Sequence, residues 1–325
     1  MQTLAEKRKV WLEVLSGKDR HSITKQITRM TWDATAFRVV NEARRLAPRD
    51  PDGGVQLNGL MYSLLDRAFF ASHMATVRRL AQKRRPGRQT DKQPLWEGNL
   101  GVYSLSALLQ DMLNHRNLLT RKAIFAAEGL EYDYEPTQQK FFASLDKQRG
   151  KNQKASDDTP PPPFCWLDSE KRHEQIDSLA GVQAQGRQPG DMVRKEVFDN
   201  LQRKVDGVCE VVVKHVNKFI AHAATPESRA TVGADEAGLM LNHLWQAHQH
   251  LCEVASFLAI YVLGDSFPGP LPIPQYDQFK YIERPLIDAS QVGKLSDLWR
   301  QIEKEADGWS QWGLDQYAKE FEGAS

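Results

Sequence analysis

Only three cysteines occur in 325 residues, Cys165, Cys209 and Cys252, and none stands in a CxxC spacing. That leaves no basis for a disulfide framework or a cysteine-held zinc site, and it fits a reducing compartment; the cytoplasm is expected. Long apolar runs are missing too. The longest, around Ala255–Leu263, falls well short of the ~18–20 residues a bilayer requires, so no membrane span is expected. The opening MQTLAEKRKVWLEV lacks the apolar block of an export signal. Runs of alternating strands separated by hairpin turns do not occur, which argues against a β fold. Nor is there a glycine-rich phosphate loop, a nucleophile elbow or a paired-carboxylate signature, so ATPase, hydrolase and dehydrogenase chemistry is disfavoured and no cofactor is expected.

What the chain does have is the helical period. Ile23, Ile27, Met30, Ala34, Phe37 and Val40 form one stripe at spacings of three and four. Leu57, Leu60, Met61, Leu64, Leu65, Ala68 and Phe69 form a second. A third runs from Leu105 through Met112 to Phe125, with Gly129 as C-cap. Val193, Val197, Leu201, Val205, Val208, Val212, Val216 and Phe219 trace a helix of about 30 residues. Leu241 to Val262 trace another, closed by Gly264. Two long helices of this kind, joined by a short turn, pack antiparallel as in an up-and-down bundle. The fold class is therefore all-α, a helical bundle with extra N-terminal helices. Residues 147–163, polar and then polyproline, read as a disordered Pro-rich insertion. Three regions follow: a basic helical part (1–129), a mobile linker (130–188), and a helical bundle with a C-terminal extension (189–325), the first and last able to pack as one domain.

Charge is unevenly spread. Residues 1–92 carry 19 Lys+Arg against 9 Asp+Glu, whereas the whole chain is only +1. Much of the excess is Arg78, Arg79, Lys83, Arg84, Arg85 and Arg88. Such a run is either the solvated, dipole-compensating end of a helix or a contact for RNA or another polyanion, or for an acidic partner.

The segment with most chemistry is His215-Val216-Asn217-Lys218-Phe219-Ile220-Ala221-His222. On an α-helix, spacings of three and four put His215, Lys218 and His222 on one face, with Val216, Phe219 and Ile220 turned to the core. Two imidazoles and an amine suit an anion, and an imidazole can move a proton. His243 and His250 stand seven apart and nearly aligned, but no metal site is expected of them, and His248 lies instead on the apolar stripe near Cys252 and reads as a hydrogen-bonded core histidine.

Asn217-Lys218-x-x-Ala221-His222 at the end of a long bundle helix resembles the HEPN superfamily, nearest to its abortive-infection U-type branch. The resemblance implies a homodimeric helical bundle of bacterial defence or stress, with a cognate antitoxin or defence partner. Many members are metal-independent RNases with an R-x(4–6)-H signature, whose His helps the ribose 2′-OH attack phosphate. Carried over, His222 is the acid/base, and Asn217 and Lys218 steady the phosphate, with His215 as a further candidate. The Arg does not carry over: the permitted spacings fall on His215, Val216 and Asn217, and the closest alignment puts Val216 there. Arg229 could reach in from the following turn. Arg67 and His73 satisfy the spacing but sit in an apolar helical stretch and are set aside. The missing guanidinium fork implies an RNA- or nucleotide-binding protein with weak or absent cleavage. A non-enzymatic helical adaptor that uses its basic N-terminal region and an active endoribonuclease toxin are the alternatives.

Overall fold

Among the residues that the computed structural model describes (3–54, 56–83, 96, 101–149, 165–220, 225, 227, 241–271, 273–280, 282, 284 and 289–310), there are ten α-helices and no strand. They are α1 (Leu4–Ser16), α2 (Ile23–Leu46), α3 (Gly59–Leu80), α4 (Leu105–Asn114), α5 (Arg121–Glu128), α6 (Glu135–Arg149), α7 (Cys165–Ala180), α8 (Lys195–His215), α9 (Leu241–Phe257) and α10 (Val292–Ser310). The chain divides into two units, Met1–Pro272 and Ile273–Ser325.

In the first unit α8 lies along α9, and both pack on α3; α9 also packs on α2, and α2 on α3. This four-helix bundle is closed at one side by α1, α4 and α5. The expected stripes supply its interior: Ile23, Ile27, Met30 and Phe37 from α2, Val205 and Val212 from α8, Leu244, Leu251 and Val254 from α9. Val211–Val213, β-branched and prone to strand, are held helical because the 3.6-residue pattern buries Val212 completely.

Caps set the ends. Thr3 and Glu6 form a reciprocal capping box on α1, and Asn58 Oδ1 accepts from Met61 N at 2.9 Å to start α3. Gly129 ends α5 at φ 70° and donates to Phe125 O. Ser104 does double service. Its hydroxyl accepts from Ala107 N to cap α4, and it reaches Leu80 O at 3.0 Å and Gln82 O at 2.6 Å, which fixes the last turn of α3.

Four expectations need correction. The third stripe is two helices, because Thr120 caps a new start at Ala123 N after a 3₁₀ turn at Arg116–Leu118. The second stripe is core only from Phe69 onward; Leu60 and Leu64 are 61% and 59% exposed, and the buried face is Phe69, His73, Met74, Val77 and Leu80. Phe219 and Ile220 are exposed rather than core. The expected linker carries α6 and α7, and α7 is bound to the body by buried charge pairs. Arg121, with no exposed surface, reaches Asp177 at 2.7 Å and Asp191 at 2.9 Å; Arg172 grips Glu128 through two N–H bonds of 2.6 and 2.8 Å. Their polarity hides their burial from a composition count. The polyproline tract lies outside the described residues.

In the second unit α10 is amphipathic, and Leu295, Leu298, Trp299 and Ile302 are exposed.

Candidate functional site

The end of α8 departs from α-helical geometry. Residues Val216–Ile220 form a π-turn, whose carbonyls accept from five residues ahead instead of four. One residue is inserted into the register, so the single-face argument for His215, Lys218 and His222 holds only up to Val216. Val216 is 1% exposed and belongs to the main core. His222 and Arg229 lie outside the described residues, as do Arg84, Arg85 and Arg88.

The structure separates two candidates that the sequence had joined. His215 turns aside and stacks on Phe219, with ring centroids 4.6 Å apart. Its burial lowers the imidazole pKa and favours the neutral ring, and its Nδ1 is buried without a hydrogen-bond partner. Asn217 instead faces α3. It lines an open cleft of about 410 Å³ together with Arg78, Gln82, Lys83, Asp206, Cys209 and Glu210. Lys218 is half-buried and is not part of the cleft wall.

Two elements thus bring Arg78, Lys83 and Asn217 together: the last turn of α3, anchored by Ser104, and the π-turn, which packs on α3. Lys83 Nζ is 2.7 Å from Asp206, and Asp206 also accepts from Gln202 at 2.9 Å. Glu210 is engaged by Lys214 at 3.3 Å. Arg78 is half-buried, and among the described residues no carboxylate pairs with it. Asn217 Oδ1 is buried and, among the described residues, accepts no hydrogen bond. Arg79, the neighbour of Arg78, is directed elsewhere: it donates to Thr76 Oγ1 at 2.8 Å and to Gln26 at 3.4 Å, and burial, with repulsion from Arg29, lowers its pKa.

Cys209 lies in the cleft wall at 1% exposure, and burial pushes its thiol up to about 12, so it is protonated at neutral pH and no nucleophile. The cleft therefore holds a guanidinium, an ammonium shared with Asp206, the Glu210 carboxylate engaged by Lys214, and an unused carbonyl acceptor, a set suited to binding. Asp206 and Glu210 were overlooked in the sequence. Asp206, Glu210 and Val213 follow one another at spacings of four and three, so the helical period could have found this side of α8, which the π-turn then extends to Asn217.

His248 is hydrogen-bonded to Thr31, as its place on the apolar stripe suggested. Against it lies His73, with ring centroids 5.3 Å apart, 2% exposed and with both nitrogens unpartnered. Among the described residues no three His, Cys, Asp or Glu side chains are placed to hold a metal ion.

Comparisons with protein-family models, with curated proteins and with solved structures return no match to this chain.

Proposed function

We propose that the chain is a HEPN-like RNA-binding protein that contacts ribose-phosphate in the α3–α8 cleft and cuts it weakly or not at all. The observation that carries this reading is the juxtaposition of Arg78, without a carboxylate, and Asn217 Oδ1, without a donor, at the start of the basic run. A phosphate answers the first and a ribose 2′-OH answers the second, and RNA offers both within one nucleotide. Weak or absent cleavage follows from the residue at the family's Arg position: the Val216 side chain is in the core and offers phosphate nothing. His215, neutral and packed on Phe219, does not replace it.

Labelled tRNA titrated with protein in EDTA across a salt series tests this. Binding is expected to weaken with salt, and Arg78→Ala to flatten the slope of log K against log salt by about 0.7, one phosphate contact. RNA that fails to bind, or a slope unchanged in Arg78→Ala, overturns the reading. RNA cut by the wild type but not by His222→Ala replaces it with the active endoribonuclease.

One observation favours a helical adaptor instead, through α10 rather than the basic N-terminal region. The apolar edge of α10, from Leu295 to Ile302, is exposed, as in a helix that meets a partner. No RNA binding, together with a protein complex lost in Trp299→Ser, supports that alternative.

A further inference from the structure

A second opening, of about 320 Å³, lies between α2 and α9 under Pro270. Thr31, Thr35 and Arg38 line one wall, Trp245, His248 and Glu253 the other. Arg38 Cζ sits 4.3 Å above the centroid of the Trp245 ring. The indole face attracts the guanidinium and restrains it, and the planar guanidinium carries its N–H groups as a fork. Among the described residues no carboxylate pairs with Arg38. The acid on the opposite wall is spent: Glu253 takes Lys204 at 2.7 Å and Gln249 at 2.7 Å, and those bonds, Lys204 first, hold its carboxyl below the usual range. The groove keeps one uncompensated positive charge.

Its hydrogen-bonding sense can be read from Thr31. The Thr31 hydroxyl donates its one hydrogen to Ile27 O at 2.9 Å, so its oxygen accepts from His248 Nε2–H at 2.8 Å. The lone pair of the ring is then on Nδ1, which has no partner among the described residues. The Thr35 hydroxyl is likewise committed as a donor, to Thr31 O at 2.8 Å. The walls thus offer one anion-binding fork beside acceptors that want a donor.

We propose that the α2–α9 groove binds a small organic anion, a carboxylate or phosphate monoester seated on the Arg38 fork and carried on a body that donates a hydrogen bond to His248 Nδ1. This site is independent of the RNA cleft. The 325-residue chain labelled with [¹⁵N]tryptophan reports on it through the Trp245 indole resonance, assigned by its loss in Trp245→Phe. Anthranilate and AMP are the charged probes; aniline and adenosine are their uncharged counterparts.

One charged probe, anthranilate for a carboxylate site or AMP for a phosphate site, is expected to shift that resonance saturably and to bind about tenfold or more tighter than its counterpart. Arg38→Gln, at an exposed position and checked by far-UV circular dichroism, is expected to remove the preference. The proposal is overturned if neither anion moves the resonance, if the uncharged compounds bind equally well, or if folded Arg38→Gln binds as the wild type does.

Discussion

Acidification should load a specific pair of side chains. Burial, reinforced by repulsion from His248, lowers His73 to about 3; burial, reinforced by Arg38, lowers His248 to about 4. In the unfolded chain both titrate near 6.5, the ordinary value for histidine. Below pH 6.5 the unfolded chain therefore takes up protons that the folded chain refuses. The stability present above that pH is lost as the pH falls toward the folded values. Each histidine contributes a slope of about 1.4 kcal/mol per pH unit, so two units of acidification give about 2.7 kcal/mol for one and up to ~5 kcal/mol for both. His248 is the more exposed and the two are coupled, which reduces the pair to about 3–5 kcal/mol. The assay is urea unfolding at pH 7.5, 6.5, 5.5 and 4.5 for the wild type and His73→Phe, a ring that fits among Phe69, Trp245 and His248. Subtracting the two curves removes the carboxylates common to both. The difference should grow by about 1.4 kcal/mol for each pH unit below 6.5. Parallel curves would refute the reasoning, because His73 would then be protonating in the folded state.

Val216→Arg, which would place a guanidinium where the proposed HEPN-like alignment calls for one, should instead destabilise by about 3 kcal/mol or more, since it buries a charge where Val216 is 1% exposed; a stable, RNA-cleaving variant would contradict this. Arg172→Met should cost about 3–5 kcal/mol by leaving Glu128 buried and unpaired, measured by chemical denaturation. It also frees the carbonyls of Tyr261 and Val262, which Arg172 caps at 2.6 and 3.2 Å. Gly264→Ala should lower the melting temperature, because φ is +58° and a Cβ there would overlap the Glu128 carboxylate.

Much of the bundle was legible because helical periodicity reports burial directly. Ile23 to Phe37, Val205 and Val212 of α8 and Leu244 and Leu251 of α9 are core as their spacing implies, and Gly129 and Gly264 end helices as expected. The signal failed where polar atoms do the packing. Arg121, Arg172, Asp111 and Lys7 are buried because ion pairs and hydrogen bonds satisfy them, with Asp111 taking Lys7 at 3.0 Å and Trp11 Nε1 at 2.7 Å. A residue count reads such groups as surface. The site was half legible. Asn217, Arg78 and Lys83 were each singled out, but their meeting depends on α3 packing against α8, which no local pattern contains. Grouping His215 with Lys218 assumed an uninterrupted α-helix; the π-turn breaks that register, and nothing in Val216–Ile220 marks it beforehand.

The central claim is that Asn217 and Arg78 together read ribose-phosphate. It is tested most directly by the affinity of one single-stranded sequence made as RNA and as DNA, for wild type and Asn217→Leu, at one salt concentration. The account predicts that wild type prefers the RNA by about fivefold, one hydrogen bond to the 2′-OH, and that Asn217→Leu loses this preference while still binding both. Equal wild-type affinity for the two strands, or an RNA preference that survives in Asn217→Leu, would contradict it.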